Sequence, residues 1–587
     1  MARCGIAIRQ ILLYSSQRQK ISVKLPAARL GYPAKSIFQH ESDARTRSTH
    51  RAAALVCICF AVGALFCRPV NAAVLVGTGL NFTGSTFGLN DTEVPPDTEG
   101  AVGPSHFVEL INGRFAAYRK SNGSLATSMT DSNFWVQAGI TFPTNRAITD
   151  PRILYDPSVQ RWFAAEIDFD VSGVANTNHF LLAVSATSDP TGAWKAVSIA
   201  SDPGGNNSAD FPTLGLDAAG VYLSADLFDV NGNPVGSTLL SLPKAGLLLT
   251  TPVITNRTWF GVLSYASRGN ILQPAVAVDG SSGGNVLSTG GLGYDLNTGK
   301  PVTDTTLKGC NVQNAAGPGS ATLSSSTTPS VPGYTAPFPP YQPDDTQTLD
   351  PGDCRFSASI YRVGGVLFAA HSTVVSGFDA IRWYRINATN YAVLESGTIS
   401  ASASMMDLYY PSIAANTNGT VVIGLNGSST SSYISCYAVV GQTVNGVTTF
   451  GDLMLLRSGN ASYQNVDPTT GLSRWGDYSA TSVDPSDPNT FWTIQTYPSS
   501  SSAWSTRITQ LFTLPGPVPL SASLAGANVA ISWPGSAALV QLQSTPVLGS
   551  GASWSAVTQT PVTVGNITTV QVPISGAQQS CRLVSSQ

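Results

Sequence analysis

The chain has 587 residues, too many for one ordinary hydrophobic core unless the fold is a closed array of repeats. Charged residues make up only 11 %, which favours short strands and tight turns over long amphipathic helices. Residues 1–72 hold 11 of the 31 Lys and Arg residues but only two acids, which leaves 20 basic and 32 acidic residues and a net charge of −12. Such an acidic chain argues against nucleic-acid binding, which requires a basic surface.

The N-terminal region is predicted to be an export signal. A basic stretch ends at Arg51, and the apolar run 52–66 has the length of a signal-peptide core but is short for a membrane span. Val70 and Ala72 fit the small-residue rule for cleavage after Ala72. We therefore expect residues 1–72 to be an N-terminal extension and signal peptide. The mature protein is then secreted or held at the cell surface, without a membrane span, and a membrane anchor is the alternative.

One pattern recurs along the mature chain: an apolar strand, an Asp/Asn/Gly turn and a second apolar strand. Near the C-terminus, Thr481 and Val483 end one strand, residues 484–489 (D-P-S-D-P-N) form the turn, and Phe491 and Trp492 begin the next strand. The repeats are centred near Gly103, Asp156, Asp217, Asp279, Gly364, Asn416 and Asp484.

Strand-rich repeats spaced by roughly 50 to 85 residues predict one four-stranded sheet per repeat, and therefore an all-β chain with a β-propeller at residues 73–514. Seven centres predict seven blades, although six or eight would also fit the divergent repeats. An array of β-sandwiches is the alternative fold.

Two further segments are predicted from composition. The stretch 298–352 is rich in Pro, Ser and Thr, which predicts a surface loop inserted into the propeller, either functional or merely tolerated. The Pro-rich boundary 514–519 separates the propeller from residues 515–587. Short alternating strands at 528–533, 539–543 and 568–572 predict a small β-sandwich module there.

Four cysteines remain after the predicted cleavage: Cys310, Cys354, Cys436 and Cys581. Export permits disulfides. Cys310 and Cys354 bracket the insertion, so we expect them to pair and fix its base, although four cysteines allow three connectivities. No C-x-x-C or H-x-x-x-H spacing indicates a metal site.

Three motifs resemble a group of large secreted bacterial proteins with a central propeller. They are D-T-E-G-A-V-G-P-S-H-F-V-E-L-I-N at 97–112, D-P-R-I-L-Y-D-P-S-V-Q-R-W-F at 150–163 and R-W-G-D-Y-S-A-T-S-V-D-P-S-D-P-N-T-F-W at 474–492. The resemblance spans most of residues 91–513 and implies a propeller fold and export, without a particular activity. The tail, with I-S-W-P-G-S-A-A-L-V-Q-L-Q-S-T at 531–545, resembles a fibronectin-type sandwich module.

Acidic and basic residues stand just before, or within, the predicted first strand of several blades, where a propeller gathers them at one mouth of its channel. These candidate ligand-binding residues are Asp97, Asp150, Arg152, Asp210, Asp353, Arg355, Arg474, Asp477 and the adjoining Tyr478. The functional hypothesis is an anion or sugar site in which arginines grip carboxylates or hydroxyls. The structural alternative is a ring of Asp–Arg pairs and Asp-to-backbone bonds that locks neighbouring blades.

A sialidase-like enzyme would require three arginines on one carboxylate and a tyrosine nucleophile. Arg152, Arg355 and Arg474 would supply the first, and Tyr478 or Tyr409 the second. The sialidase turn motif S-x-D-x-G-x-x-W is missing from the sequence, however. A two-carboxylate glycosidase would require paired acids at one mouth.

Other candidate groups have structural interpretations. His106 and His371 lie in or beside apolar strands and are predicted to be packing residues rather than proton carriers. Ca²⁺ could bind the Asp-rich turns, but no twelve-residue loop with alternating ligands occurs, so ordinary Asx turns are expected at Asp226, Asp229, Asp484 and Asp487. We therefore predict no cofactor and no metal.

Taken together, these patterns predict an exported, non-catalytic binding or surface-interaction protein. Its expected partner is an extracellular polysaccharide or a protein. The alternative is a propeller glycoside hydrolase, broadly sialidase-like.

Overall fold

The computed structural model describes residues 74–585, apart from 144, 172–176, 296–297, 344–348, 468–470, 516–519, 536–538, 547–552, 565–566 and 575–579. The described residues are nearly all in strands and turns, so the predicted all-β class is confirmed. They also include three short helices and one 3₁₀ turn: α1 (Asp131–Gln137), α2 (Lys244–Leu247), α3 (Tyr265–Arg268) and Ser402–Ser404. The predicted signal peptide lies outside the described residues.

The strands of residues 74–515 fall into seven consecutive antiparallel groups, which we number as units 1 to 7, and parallel bridges join units 3 to 5 into one 13-stranded sheet. The first strand of the described residues, β1 (Val74–Thr86), belongs to the last unit. Unit 1 contains β2 (Glu99–Val102), β3 (His106–Ile111), β4 (Arg114–Arg119) and β5 (Leu125–Met129). Unit 2 contains β6 (Arg146–Asp156), β7 (Arg161–Asp170), β8 (His179–Ser185) and β9 (Trp194–Ala200). Unit 3 contains β10 (Ser208–Leu216), β11 (Gly220–Phe228), β12 (Pro234–Pro243) and β13 (Thr258–Leu263).

Units 4 to 7 continue the same order. Unit 4 contains β14 (Asn270–Val276), β15 (Asn285–Thr289), β16 (Asp304–Gln313), β17 (Thr322–Leu323) and β18 (Ser330–Tyr334), and unit 5 contains β19 (Ile360–Val363), β20 (Val366–Val375), β21 (Phe378–Asn387) and β22 (Val393–Ile399). Unit 6 contains β23 (Asp407–Ala415), β24 (Thr420–Ser429), β25 (Ser432–Val444), β26 (Val447–Phe450) and β27 (Met454–Arg457). Unit 7 contains β28 (Ala480–Val483), β29 (Thr490–Pro498) and β30 (Trp504–Pro515) with β1.

The first strands of the seven units contact one another in cyclic order. The sequence of contacts is β2, β6, β10, β14, β19, β23, β28 and back to β2. Short parallel bridges join β10 to β14 and β14 to β19. In unit 7, β1 pairs antiparallel with β30 over most of its length, so the start of the described chain completes the last sheet. This cyclic arrangement is propeller-like.

The hydrophobic core of the ring is divided into seven clusters, each between two neighbouring units. The cluster between units 2 and 3, for example, packs Leu154 and Phe163 against Leu214 and Leu223. Because every sheet is covered on both faces, strands such as β11 and β29 are buried along their whole length and present neither face to solvent. This explains why the sequence shows continuous apolar runs with small polar residues.

The seven predicted repeat centres all lie in the turn between the first and second strands of a unit. We call this end of the ring the turn end. Asp217 shows what its residues do: Oδ1 accepts hydrogen bonds from Ala219 and Gly220 N–H at 2.7 and 2.9 Å, and Oδ2 accepts from Gly283 and Gly284 N–H at 2.9 and 2.8 Å in the next unit. The same contact with the next unit is made by Asp156 to Lys244, Asp279 to Gly364, Asn416 to Pro488 and Asp484 to Lys120.

The prediction of a surface loop at 298–352 is wrong for much of that segment. Residues 304–313 form β16, which pairs with β15 in unit 4, and residues 330–334 form β18. Leu307 and Tyr334 are buried in the cluster between units 4 and 5. The Pro/Ser/Thr-rich composition of the flanking residues concealed a short alternating strand.

The predicted Cys310–Cys354 disulfide is not formed, and no disulfide is seen among the described residues. On β16, Cys310 belongs to the cluster between units 3 and 4, whereas Leu307 belongs with Cys354 to the cluster between units 4 and 5. Because side chains alternate along a strand, residues 307 and 310 point to opposite faces of the sheet. Unit 4 therefore separates the two sulfurs.

The C-terminal residues form two further sheets. One contains β31 (Ser521–Ala525), β32 (Asn528–Pro534), β36 (Ile567–Pro573) and β35 (Val562–Val564), and the other contains β34 (Ser555–Ala556), β33 (Val540–Thr545) and β37 (Ser580–Ser585). Both sheets contribute to one cluster that includes Trp533 and Leu542. The cluster extends to Leu75 and Leu514 in unit 7, and a Cβ on Gly77 would lie 2.3 Å from the Leu539 side chain, which would have to shift to accept it.

Candidate functional site

The site lies at the other end of the ring, which we call the mouth, where the first strands begin. Residues at corresponding positions of five units share a positive φ of 46 to 62°, namely Asp97, Asp150, Phe211, Ile271 and Tyr410. In four of these units the register with the second strand shifts at this point, as in a β-bulge. Bulges bend a strand and re-aim its side chains. The positive φ values and the register shifts therefore recur around the ring as a feature of the fold.

Arg152 is buried inside the ring and binds several internal partners, while its Nη2 has no hydrogen-bond partner among the described residues. Its guanidinium donates to Glu99 Oε1 at 2.8 Å, to the Ser357 carbonyl at 2.7 Å and to the Pro212 carbonyl at 2.8 Å. It also lies 3.7 Å from the centre of the Tyr478 ring. Burial raises the pKa of Glu99 to about 7 although Arg152 opposes the shift. Arg152 thus links four units across the channel.

Arg355 is held by its own neighbour in sequence. Its Nε and Nη2 donate to the two oxygens of Asp353 at 2.8 and 2.7 Å, the fork-to-fork geometry that arginine and carboxylate prefer. The guanidinium carbon lies 4.4 Å from the centre of the Phe211 ring. The charge of Arg355 is therefore balanced by Asp353, and its guanidinium covers one face of the Phe211 ring.

Arg474 stands among acids at the junction of units 7 and 1. It contacts Asp477 at 3.5 Å and Asp350 at 3.7 Å. Asp97 accepts hydrogen bonds from the Asp477 backbone N–H at 3.2 Å and the Asn112 side chain at 2.9 Å. Burial, with the charges of Asp477 and Asp150, raises the pKa of Asp97 well above its usual range.

Asp150 connects unit 2 to unit 3, because its Oδ2 accepts from the Phe211 N–H at 3.1 Å. Its own N–H donates to the Asn112 side chain at 2.9 Å, which connects it back to unit 1. Tyr478 packs edge-on against Phe211 with ring centres 4.9 Å apart, and Ile271 completes this cluster. Most of the predicted ligand-binding residues therefore lie together, and most of their contacts are with neighbouring units.

Asp210 differs from the other mouth residues. It is 6 % exposed, and its Oδ2 has no hydrogen-bond partner among the described residues. Directly opposite it on β11 lies Asp226, which accepts from Ser237 Oγ at 2.7 Å and from the Ile271 N–H at 3.3 Å. Burial, followed by the charge of Asp150, raises the pKa of Asp210 well above its usual range, and burial raises that of Asp226 to about 6.

The two acids line a small pocket between units 3, 4 and 5. The pocket holds about 40 Å³ of space for water-sized groups, and its lining is mainly aromatic and apolar. Its other walls include Phe211, Phe228, Tyr265, Tyr294, Leu292 and Arg355. This pocket is a part of the mouth where the described side chains leave space for a small group.

Sequence reasoning missed several members of the site. Glu99, Asn112 and Asp350 each partner a predicted residue, but nothing in their sequence distinguishes them from ordinary turn or strand residues. Asp226 was interpreted as part of an Asx turn, yet it lies within β11, and only Asp229 caps a turn, accepting from Asn231 and Asn233 N–H. An acid in the apolar run Y-L-S-A-D-L-F is the signal that could have identified it.

The two histidines are placed as packing residues. His371 is buried, with Nδ1 at 2.8 Å from the Ser372 carbonyl and Nε2 at 2.9 Å from Tyr384 Oη, and burial lowers its pKa to about 4. His106 lies on β3 with Nδ1 at 3.9 Å from the Asp189 carboxylate. Over the described ranges, no group of three or more His, Cys, Asp or Glu residues is arranged to hold a metal ion. No helix there is long and apolar enough to cross a membrane.

No protein-family profile matches the chain, and no curated protein is similar to it in sequence. Solved structures resemble it only distantly. A protein of unknown function from Dyadobacter fermentans is 12 % identical, covering 64 % of this chain and 97 % of its own, with a TM-score of 0.34. Extracellular domains 1–2 of Drosophila Semaphorin 1b are 8 % identical (75 % and 87 % covered, TM-score 0.33), and the Hadza microbial sialidase Hz136 is 11 % identical (70 % and 64 % covered, TM-score 0.31).

Proposed function

We propose that the protein is an exported seven-bladed β-propeller followed by a small β-sandwich, and that it is a non-catalytic binding protein for an extracellular polysaccharide. Three observations support the fold: seven successive groups of antiparallel strands, a cyclic order of contacts between their first strands, and one hydrophobic cluster at each junction. Two sheets that share the Trp533 cluster support the C-terminal sandwich. A protein partner is the alternative to a polysaccharide.

The observation that carries the binding function is the state of the three mouth arginines. A sialidase-like site needs them free and convergent on one substrate carboxylate. Here Arg152 is bound to Glu99, Arg355 to Asp353 and Arg474 to Asp477 and Asp350. Arginines that are neutralised by the protein's own acids hold a scaffold together and leave little attraction for an anionic substrate.

One observation favours a glycoside hydrolase as the second candidate. Asp210 and Asp226 are cross-strand partners, and such residues have Cβ atoms about 4.5–5.5 Å apart. Two neighbouring carboxyl groups with different protonation are the minimal equipment of glycoside hydrolysis. Both acids line the open pocket.

A glycan-array screen of the purified protein, combined with an assay for released reducing sugar, tests the proposal. We expect saturable binding to at least one polysaccharide class and no release. Release that disappears in a folded Asp210→Asn/Asp226→Asn double variant would replace the binding function by hydrolysis. Failure to bind any glycan would exclude the polysaccharide and leave the protein partner.

A further inference from the structure

At the pocket beside Asp210, one buried carboxylate oxygen is left without an internal partner among the described residues. Asp97 and Asp150 each accept a backbone N–H from a neighbouring unit, whereas Asp210 Oδ2 accepts nothing from the described residues. A buried acceptor without a partner costs about 1–3 kcal/mol, and more when it is charged. A proton donor on a ligand would recover this energy.

The charge around the pocket favours a cationic donor. Asp210 and Asp226 face it together, while the only cationic side chain among its walls, Arg355, is already neutralised by Asp353. Burial is the main cause of the raised pKa values of both acids, and at Asp210 the nearby carboxylate of Asp150 adds to it. An anionic ligand would add to this repulsion.

The shape and the remaining walls point to a small head group. The pocket offers about 40 Å³, which suits an ammonium group and its carbon but not a complete sugar ring. Phe228, Tyr265 and Tyr294 supply aromatic surface around it, and aromatic rings attract cations through their negative faces. Carboxylates and aromatic rings together are the chemistry that recognises ammonium groups.

Building on the proposed polysaccharide-binding function, we propose that this pocket binds the primary ammonium group of an amino-sugar residue. The ammonium donates to Asp210 Oδ2 and is attracted by Asp226, and the sugar ring stays outside at the mouth. A polysaccharide source is chosen over a lysine side chain because the inference builds on the proposed function, and a lysine probe distinguishes the two sources.

Calorimetric titration with two matched oligosaccharides tests the proposal. The probes are the tetramer of glucosamine, which carries free amines, and the tetramer of N-acetylglucosamine, which has the same rings without positive charge. We expect the first to bind at least tenfold more tightly. Asp210→Asn should weaken its binding at least tenfold, because the amide keeps the shape but cannot ionise to the carboxylate that accepts from the ammonium group.

Asp229→Asn is the matched control. Asp229 lies on the same hairpin, carries the same charge, is partly exposed and caps only its own turn. We expect its effect on binding to stay within twofold, and circular dichroism checks that both variants are folded. A comparable loss in the control would mean that general attraction, and not the pocket, holds the oligosaccharide, which overturns the proposal.

The remaining outcomes also test the proposed ammonium site. Equal affinity for the two tetramers, or affinity unchanged in Asp210→Asn, would overturn the ammonium site while leaving polysaccharide binding intact. If Nα-acetyl-lysine amide bound as tightly as the glucosamine tetramer, the sugar would contribute nothing and the amino-sugar assignment would fall. If none of the probes bound, this inference would fail, and the glycan array would still decide the proposed function.

Discussion

At the turn end of the ring, Asp217 uses both oxygens: one closes its own turn and the other accepts two N–H groups of the next unit. At the mouth, Asp210 is equally buried but leaves Oδ2 without a partner among the described residues. The two residues lie near opposite ends of the same strand, β10. Asp217 therefore stabilises the ring, whereas Asp210 destabilises it, and we attribute the presence of Asp210 to ligand binding.

The largest effect should come from breaking the buried ion pair at the turn end. Lys244 Nζ and Asp156 Oδ2 are both almost fully buried, so Lys244→Met leaves an unpaired charge inside the protein. We expect a loss of about 3–5 kcal/mol in the free energy of unfolding, measured by urea denaturation. Lys195→Met removes an exposed lysine and serves as the control. A loss below about 1 kcal/mol would contradict the stabilising role of the turn end.

Asp217→Ala should have the next largest effect. It leaves four backbone N–H groups in two units without their acceptor, and we expect a loss of about 2–4 kcal/mol by the same measurement. Asp229→Ala removes a partly exposed cap from a single turn, so its loss should be clearly smaller. Equal losses would show that the contact with the next unit contributes nothing.

Asp210→Asn should act in the opposite direction. Burial raises the pKa of Asp210, so the native state holds a proton that the unfolded state releases, and wild-type stability falls as pH rises from the unfolded pKa to the native pKa. The asparagine variant escapes this loss. Its advantage should grow by about 1 kcal/mol or more between pH 5 and pH 8. An advantage that is constant with pH, or that shrinks, would show that Asp210 is not destabilising when ionised.

The smallest effect is expected for Asp279→Ala. Asp279 is exposed, and its contact with Gly364 N–H in the next unit is long, at 3.4 Å. We expect a loss below about 1 kcal/mol in thermal and urea unfolding. A loss as large as that of Asp217→Ala would mean that burial does not determine how strongly the turn end stabilises the ring.

The sequence was most informative at the turn end. Asp and Asn close turns through local bonds, so positions such as Asp217 and Asp484 mark the repeats without any knowledge of the fold. The mouth was only partly predictable, because its pairings are made between residues distant in sequence. Arg152 and Glu99 are 53 residues apart, and no local sequence pattern near either residue predicts that they pair.

The failures have physical causes of the same kind. The Cys310–Cys354 bond was inferred from positions flanking an insertion, but the face to which Cys310 points is fixed by strand alternation in β16. The strand itself was missed because polar and small residues fill it, and the neighbouring units, not its own composition, bury it. The sequence predicts the positions of turns more reliably than it predicts which residues bury a strand.

The pairing of β1 with β30 has a consequence for how the protein is made. Six sheets draw on continuous stretches of chain and can form one after another as synthesis proceeds. The seventh needs residues 74–86 and 504–515 at once, so the N-terminal strand must wait without a partner until nearly the whole ring has been synthesised. The module that packs on Gly77 and Leu514 arrives immediately afterwards, in the order required to cover the newly completed edge.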